Sequence, residues 1–238
     1  MGIIRSGIYD KSTLFLKKAS NINHFVETGT YYGNTSLWAA EHFDSVETIE
    51  FCKEIFQEAQ NKLKNYKNIK CHYGDSRVIL EKIIHQTNNN MLFWLDAHWS
   101  SGNTYGENDQ CPLLKELEII FSDNRDHIIL IDDARTFIHP PMLPNDPSQF
   151  PSIEDIINAI PKNRFHILIF EDIIYVIPLS IWNNDTILFF QNEAKRFDEE
   201  YHKMSSFYKK YSKINDIGLK KYVYLEIKKR IKKICTRN

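Results

Sequence analysis

Acidic side chains follow the two most apolar stretches of the sequence. Asp96 and His98 come after "MLFWL", and Asp132 and Asp133 come directly after "HIILI". Nearly continuous hydrophobic runs of this length are typical of parallel strands that are buried on both faces. A carboxylate at the end of such a strand is costly to bury alone, so these acids need a counter-charge or a ligand.

These acids predict a metal site or an acid–base site. If the two strands are neighbours, their ends lie about 5 Å apart. Asp96, Asp132 and Asp133 could then share one Mg²⁺, which prefers oxygen ligands. His98 fits either a general base near neutral pH or a neutral histidine that ties down its own loop. Asp133 has two alternatives, a helix cap and a partner for Arg135.

The stretch "HFVETGTYYGNTSLWAAEHF" changes from a strand to a helix across two glycines. Gly29 and Gly33 lie in the turn, and Glu27 precedes them. Glycine lets a ligand approach the backbone, and the N-terminus of the following helix offers free N–H groups. The G-x-G-x-x-G fingerprint of dinucleotide sites is incomplete, so the turn favours a cofactor without a pyrophosphate.

Further acids end the next two predicted strands. Glu50 ends "SVETIE", at the offset where an acid commonly accepts hydrogen bonds from ribose hydroxyls. Asp75 and Ser76 follow the third strand in "GDS", where the carboxylate could reach an adenine edge. Each acid has the alternative of capping a helix and facing water. Their repeated position at strand ends favours a ligand, because open α/β sheets bind ligands there.

Short apolar strands alternate with helical segments along most of the chain. This alternation predicts an α/β fold with a mostly parallel, seven-stranded sheet flanked by helices. "RFHILIFED" and "IIYVIPL" come back to back and predict a closing hairpin. We expect one domain over residues 1–180, followed by a helical extension over 181–238.

Four motifs follow one another along the chain: E-x-G-x-x-x-G, an acid at the end of strand two, G-D-S and L-D-A-H. In this order they resemble the Rossmann-like (class I) S-adenosylmethionine-dependent methyltransferases. The resemblance covers roughly residues 24–178. It implies that the glycine turn carries the methionine part of the cofactor, Glu50 the ribose, and Asp75 the adenine. The cofactor-binding residues implied in this way are Glu27, Gly29, Thr30, Gly33, Glu50, Asp75, Ser76 and Asp96.

The acids after strands four and five are similar to those of the metal-dependent sugar or macrocin-type O-methyltransferases. That resemblance implies Asp96, Asp132 and Asp133 as ligands of Mg²⁺. His98 is a departure from the family pattern, and we expect it to be catalytic together with Asp96. The implied acceptor is a hydroxyl of a sugar or another small molecule. The loop 100–108 and the proline-rich loop after Phe137 are expected to enclose this acceptor.

Three other functions remain open. An NAD-dependent oxidoreductase is disfavoured by the missing glycine. A non-catalytic module with this fold would have no reason to bury the acids. A metal-dependent hydrolase would leave the strand-two acid without a purpose.

Charge is distributed unevenly along the chain. Residues 206–238 contain eleven Lys/Arg and two Asp/Glu, although the whole chain has a formal net charge of −1. The basic tail fits an amphipathic helix that packs on the domain or on a second subunit, or one that contacts an anionic membrane. Nucleic-acid binding is the least favoured interpretation, because no such motif is present. The four scattered cysteines and the missing leader predict a cytoplasmic protein, with membrane contact through the tail as an alternative.

Overall fold

The computed structural model describes residues 7–99, 106 and 108–235. The chain divides into two compact units, residues 1–183 and 184–238. The first unit carries the sheet and the predicted site, and the second is helical.

Seven strands and nine helices occur in the described residues. The strands are β1 His24–Thr28, β2 Ser45–Glu50, β3 Ile69–Tyr73, β4 Leu92–Leu95, β5 Ile128–Ile131, β6 Phe165–Phe170 and β7 Ile173–Pro178. The helices of the first unit are α1 Asp10–Ser20, α2 Asn34–His42, α3 Lys53–Leu63, α4 Ser76–His85, α5 Leu113–Phe121, α6 Arg135–Ile138 and α7 Ile153–Ala159. The second unit contains α8 Asn184–Ile217 and α9 Leu219–Cys235.

The seven strands form one sheet in the order β3-β2-β1-β4-β5-β7-β6. The first five strands pair in parallel, whereas β7 is antiparallel to both β5 and β6. The predicted α/β class, the seven-stranded sheet and the closing hairpin are therefore confirmed. The carboxyl ends of the five parallel strands meet at one edge of the sheet.

Both faces of the sheet are covered. Val26, Phe93 and Ile129 point to the face that α4, α5 and α7 cover, and they belong to one buried apolar cluster with those helices. Phe25 points to the other face and contacts Trp38 of α2. Because side chains alternate along a strand, two-sided burial requires the continuous hydrophobic runs seen in β4 and β5.

Two helices were not predicted from the sequence. The helix α1 lies on the same face as α2, where the Ser12 hydroxyl is 2.8 Å from the Tyr175 hydroxyl. The helix α6 is a single turn after β5. Both are short or weakly patterned, so their apolar periodicity gives little signal.

A buried histidine supports the start of β5. His127 is 1% exposed, its Nδ1 accepts a hydrogen bond of 3.0 Å from the Met91 amide, and its ring meets Phe93 edge-on. Burial, followed by the charge of Arg125, lowers the pKa of His127 to about 4. Asp123 acts in the opposite direction but does not reverse the shift. The fold therefore holds this imidazole neutral.

We expect His127 to make the protein less stable in mild acid. Its folded-state pKa is below its unfolded value, so its contribution is complete above about pH 6.5 and is lost as the pH falls towards 4. The full loss corresponds to about 3 kcal/mol. This loss of stability is measured by urea unfolding of the wild type and of His127→Gln between about pH 6.5 and pH 4. Equal pH slopes in the two proteins would contradict the prediction.

The second unit consists of two helices joined at Gly218, whose φ is +77°. In the described residues, no helix combines the length and the apolar character needed to cross a membrane.

Candidate active site at the carboxyl edge of the sheet

The predicted site residues follow five parallel strands and are brought to one edge of the sheet. Glu27 lies near the end of β1 and Gly29 follows it, Glu50 ends β2, Asp75 follows β3, and Asp96 follows β4. Asp132 and Asp133 follow β5. Open α/β sheets bind ligands at this edge.

Backbone packing requires glycine at position 29, and the backbone conformation favours it at position 33. Gly29 has a φ of +83°, and a Cβ there would lie 2.3 Å from the carbonyl oxygen of Asp96. Gly33 has a φ of +70°, and a Cβ there would lie 2.9 Å from a methyl carbon of Leu63. The turn is therefore pressed against the exit of β4, and this contact explains Gly29 without a ligand.

Glu27 lies behind the turn and is 1% exposed. Its Oε2 accepts hydrogen bonds from the hydroxyls of Ser36 and Thr48. The Thr48 hydroxyl also lies 2.5 Å from the Thr30 hydroxyl. Burial raises the pKa of Glu27 to about 7 despite these hydrogen bonds. Glu27 and Thr30 thus tie β1, β2 and α2 together beneath the predicted cofactor position.

Glu50 joins two loops at the same edge. Its Oε2 accepts a hydrogen bond of 2.9 Å from the Tyr31 amide, and its Oε1 accepts one of 2.8 Å from the Cys52 amide. Burial raises its pKa, and these backbone hydrogen bonds act in the opposite direction. Each carboxylate oxygen has a second lone pair, so the group can still accept from a ligand hydroxyl.

Asp75 is engaged by its own helix. Its Oδ1 accepts a hydrogen bond of 2.9 Å from the Arg77 amide, which caps α4, and its Oδ2 is 2.7 Å from Arg77 Nη2. Arg77 also pairs with Asp109 at 2.7 Å. Ser76, next to it, is 3% exposed, and its hydroxyl makes no hydrogen bond of ordinary length and angle among the described residues. The Ser76 hydroxyl lies close enough to the Glu116 carboxyl to lower its pKa.

Glu116 was missed by the sequence analysis. It is 1% exposed, and burial raises its pKa to about 7, against the effect of the Ser76 and Thr28 hydroxyls. It lines a small cavity together with His98 and Asp132. A signal was present in the sequence, because Glu116 falls on the buried face that α5 presents through Leu113, Leu117 and Ile120.

His98 is the centre of the acid cluster. Its Nε2 lies 3.1 Å from Asp133 Oδ2, and its Nδ1 lies 3.5 Å from Asp96 Oδ1. Burial lowers the pKa of His98, but the hydrogen bond to Asp133 and the neighbouring carboxylates outweigh it, so the pKa is raised overall. The imidazole is therefore poised to hold or release a proton between two acids.

Asp133 is also paired with a guanidinium. Its Oδ1 lies 2.8 Å from Arg135 Nη1. Burial acts to raise its pKa, but His98 and Arg135 prevail and lower it. Arg135 is anchored in turn by Asp172, which binds both its backbone N–H and its side chain. The pairing with Arg135 was one of the alternatives open from the sequence.

Asp96 and Asp132 carry negative charge that is less well compensated. Burial and the charge of Asp132 raise the pKa of Asp96 well above its ordinary value. Burial and the charge of Asp133 raise that of Asp132 to about 7. The Asp132 carboxylate accepts a hydrogen bond of 2.8 Å from the Asp133 amide. This part of the edge favours a positively charged ligand.

The predicted three-aspartate metal site is not assembled in this arrangement. Among the described residues, no three His, Cys, Asp or Glu side chains are grouped so that they could hold a metal ion. The physical reason is that His98 lies between Asp96 and Asp133, and Arg135 takes the other oxygen of Asp133. The residues present therefore do not fit the divalent cation that the sequence led us to expect.

The proline-rich loop contacts Trp99, which follows β4. The Trp99 amide donates to the Gln110 carbonyl at 2.7 Å, and Asn145 of the proline-rich loop donates to the Trp99 carbonyl at 2.8 Å. The proline-rich loop is thereby attached to the exit of β4. Most of the loop 100–108 lies outside the described residues.

Comparison with solved structures identifies the fold. An S-adenosylhomocysteine-bound methyltransferase from Podospora anserina is 14% identical, with a TM-score of 0.52, over 73% of this chain and 80% of that one. A Klebsiella pneumoniae protein described as an O-methyltransferase is 14% identical, with a TM-score of 0.51, over 74% and 83%. A Streptococcus mutans protein described as a methyltransferase, in complex with S-adenosylhomocysteine, is 11% identical, with a TM-score of 0.52, over 74% and 100%.

No family model and no curated protein matches the sequence. The structural likeness nevertheless shows that the chain has the Rossmann-like fold of the class I methyltransferases. At this level of identity the comparison identifies the fold, and the activity has to be argued from the site.

Proposed function

We propose that this protein is an S-adenosylmethionine-dependent O-methyltransferase that acts on a hydroxyl of a sugar or another small molecule. The observation that carries the proposal is that Glu50, Asp96 and Asp132 lie at the carboxyl ends of parallel strands on one edge of the sheet, with His98 3.5 Å from Asp96. Such an edge attracts a sulfonium cation and repels a pyrophosphate.

The described residues fit this cofactor. Glu50 has free lone pairs for ribose hydroxyls at the end of β2. Ser76 offers a buried hydroxyl at the start of α4 for a ring nitrogen or an amine. When bound, S-adenosylmethionine supplies an electrophilic methyl group on a positively charged sulfur. Asp96 is the acid at this edge that would face that charge.

The acceptor proton would be taken by His98 or Asp96. In the neutral state of His98, Nδ1, which lies 3.5 Å from Asp96 Oδ1, would accept a proton from a hydroxyl, while Asp133 orients Nε2. Arg135 and Asp172 hold Asp133 in place. The protein contributes further by holding the acceptor oxygen in line with the methyl group, which lowers the entropic part of the barrier.

A sugar acceptor and a role in glycan biosynthesis come from the family resemblance. The chemistry of the edge supports a hydroxyl acceptor, because carboxylates and an imidazole accept hydrogen bonds from hydroxyl groups.

The alternatives have less support. Dinucleotide-binding sheets have the order 3-2-1-4-5-6 with parallel strands, whereas here the antiparallel β7 lies between β5 and β6. A non-catalytic module does not explain why Asp96, His98, Asp132 and Asp133 are collected at one edge at the cost of desolvation.

We expect Glu50→Ala to weaken S-adenosylhomocysteine binding about 100-fold, because hydrogen bonds to a charged acceptor contribute about 1.5–3 kcal/mol each. Isothermal titration calorimetry with purified wild type and variant measures this change. Glu47→Gln is the matched control, because Glu47 is a buried acid of the same strand that pairs with His72 instead. Absence of binding to wild-type protein would overturn the proposed function.

We expect neither magnesium nor EDTA to change the stability of the complex with S-adenosylhomocysteine. The reason is that Asp133 is already paired with His98 and Arg135. Thermal melts of the complex with each addition measure the effect. A stabilisation by magnesium that disappears in Asp132→Asn would show instead that these side chains rearrange around a cation.

A further inference from the structure

A continuous apolar stripe runs along α8 and is covered over only part of its length. Phe190 and Phe197 are each 6% exposed. The same face continues through four side chains at spacings of three and four residues, and these are open to solvent. They are Tyr201 at 40% exposure, Met204 at 46%, Tyr208 at 62% and Tyr211 at 55%.

The neighbouring positions make this face wide and aromatic. Phe207 is 63% exposed, and its ring stacks on Tyr211 at a centroid distance of 6.4 Å. At about 100° per residue, the exposed apolar side chains fall within an arc of roughly 120°. Four large apolar groups at helical spacing exceed the scattered exposed hydrophobic residues that are normal for a surface.

The rest of the circumference is polar and carries four lysines together with Asp198, Glu199 and Asp216. Lys203, Lys209, Lys210 and Lys213 all lie outside the apolar arc. The helix α9 repeats the combination, with Tyr224 at 62% exposure and Ile227 at 53%. Across residues 206–238 eleven basic residues oppose two acidic ones.

The charge around the exposed apolar face of α8 indicates which kind of partner binds it. Pairing with the same face of a second copy would bring two copies of the basic segment 206–238 together, which is unfavourable. An anionic lipid surface offers the opposite charge for the lysines and an apolar boundary for the aromatic and Met side chains. Tyrosine is also enriched at membrane interfaces, where its ring is apolar and its hydroxyl remains hydrated.

We propose that α8 beyond Phe197, together with α9, forms an amphipathic anchor that lies on an anionic membrane surface. The apolar arc enters the boundary between headgroups and acyl chains, and the lysines bind the lipid phosphates. This proposal does not depend on the methyltransferase activity.

Co-sedimentation of the full chain with vesicles tests the anchor. We expect binding to vesicles of phosphatidylcholine and phosphatidylglycerol, weak binding to pure phosphatidylcholine, and a decrease with salt. Replacing Lys209, Lys210 and Lys213 by glutamine should weaken binding about 100-fold, since each surface lysine contributes about 1 kcal/mol. Replacing Lys53, Lys64 and Lys67 by glutamine is the matched control and should have little effect.

A second variant separates the apolar contribution from charge. The double variant Tyr208→Ser with Tyr211→Ser keeps every lysine and should also lose vesicle binding. Circular dichroism confirms that each variant is folded. Three outcomes would overturn the proposal: equal binding to neutral and anionic vesicles, a concentration-dependent dimer without vesicle binding, and binding to an oligonucleotide without vesicle binding.

Discussion

Gly29→Ala is expected to lower the free energy of unfolding by roughly 4 kcal/mol or more. The added Cβ would lie 2.3 Å from the Asp96 carbonyl oxygen and 2.7 Å from its carbonyl carbon, and both are backbone atoms. A backbone neighbour cannot move away by a rotamer change, so the turn itself must shift. The φ of +83° adds a further cost for any L side chain. Urea unfolding at neutral pH measures the loss.

Gly7→Ala is the control for this prediction. Gly7 also has a φ of +83°, but a Cβ there meets no atom within 4 Å. This variant should lose only about 1–2 kcal/mol, the cost of the backbone conformation. Equal effects of the two variants would mean that the contact with Asp96 is not the reason for glycine at position 29.

His98→Gln is expected to slow methyl transfer by about 100- to 10,000-fold, the usual contribution of a positioned acid–base group. Glutamine keeps a polar side chain beside Asp133 but cannot take up a proton near neutral pH. Screening hydroxylated acceptors by mass spectrometry of the methylated product, and then measuring single-turnover rates, provides the test. His85→Gln, at an exposed position on α4, is the control.

Cofactor affinity separates this role from a purely structural one. If His98 acts on the acceptor proton, the variant should bind S-adenosylhomocysteine as tightly as the wild type. A parallel loss of affinity and rate would show that His98 supports the edge of the sheet rather than the reaction. A wild-type rate in the variant would leave Asp96 as the proton acceptor.

The carboxyl edge brings together acidic side chains whose ionisation is suppressed by burial. Glu27, Glu116 and Asp132 have pKa values of about 7, and that of Asp96 is raised as well. Desolvation is the main cause in each case. A cationic ligand at this edge would stabilise the ionised forms, so cofactor binding should be coupled to proton release near neutral pH.

The sequence by itself determined the strands, their alternation with helices and the edge at which the polar residues collect. The reason is that β4 and β5 are each four fully buried residues in continuous hydrophobic runs, and the glycine turn marks the exit of β1. These signals are local, since they depend only on residue type and period. The closing hairpin of β6 and β7 was predictable for the same reason.

Only the tertiary structure decided the partners of each side chain. Asp133 pairs with His98 and Arg135 because the exits of β4 and β5 are adjacent, and Asp172 reaches Arg135 from the β6–β7 turn. Gly29 is required by the backbone of Asp96, which is distant in sequence. Such contacts depend on how elements pack in space, and residue spacing along the chain carries no information about that packing.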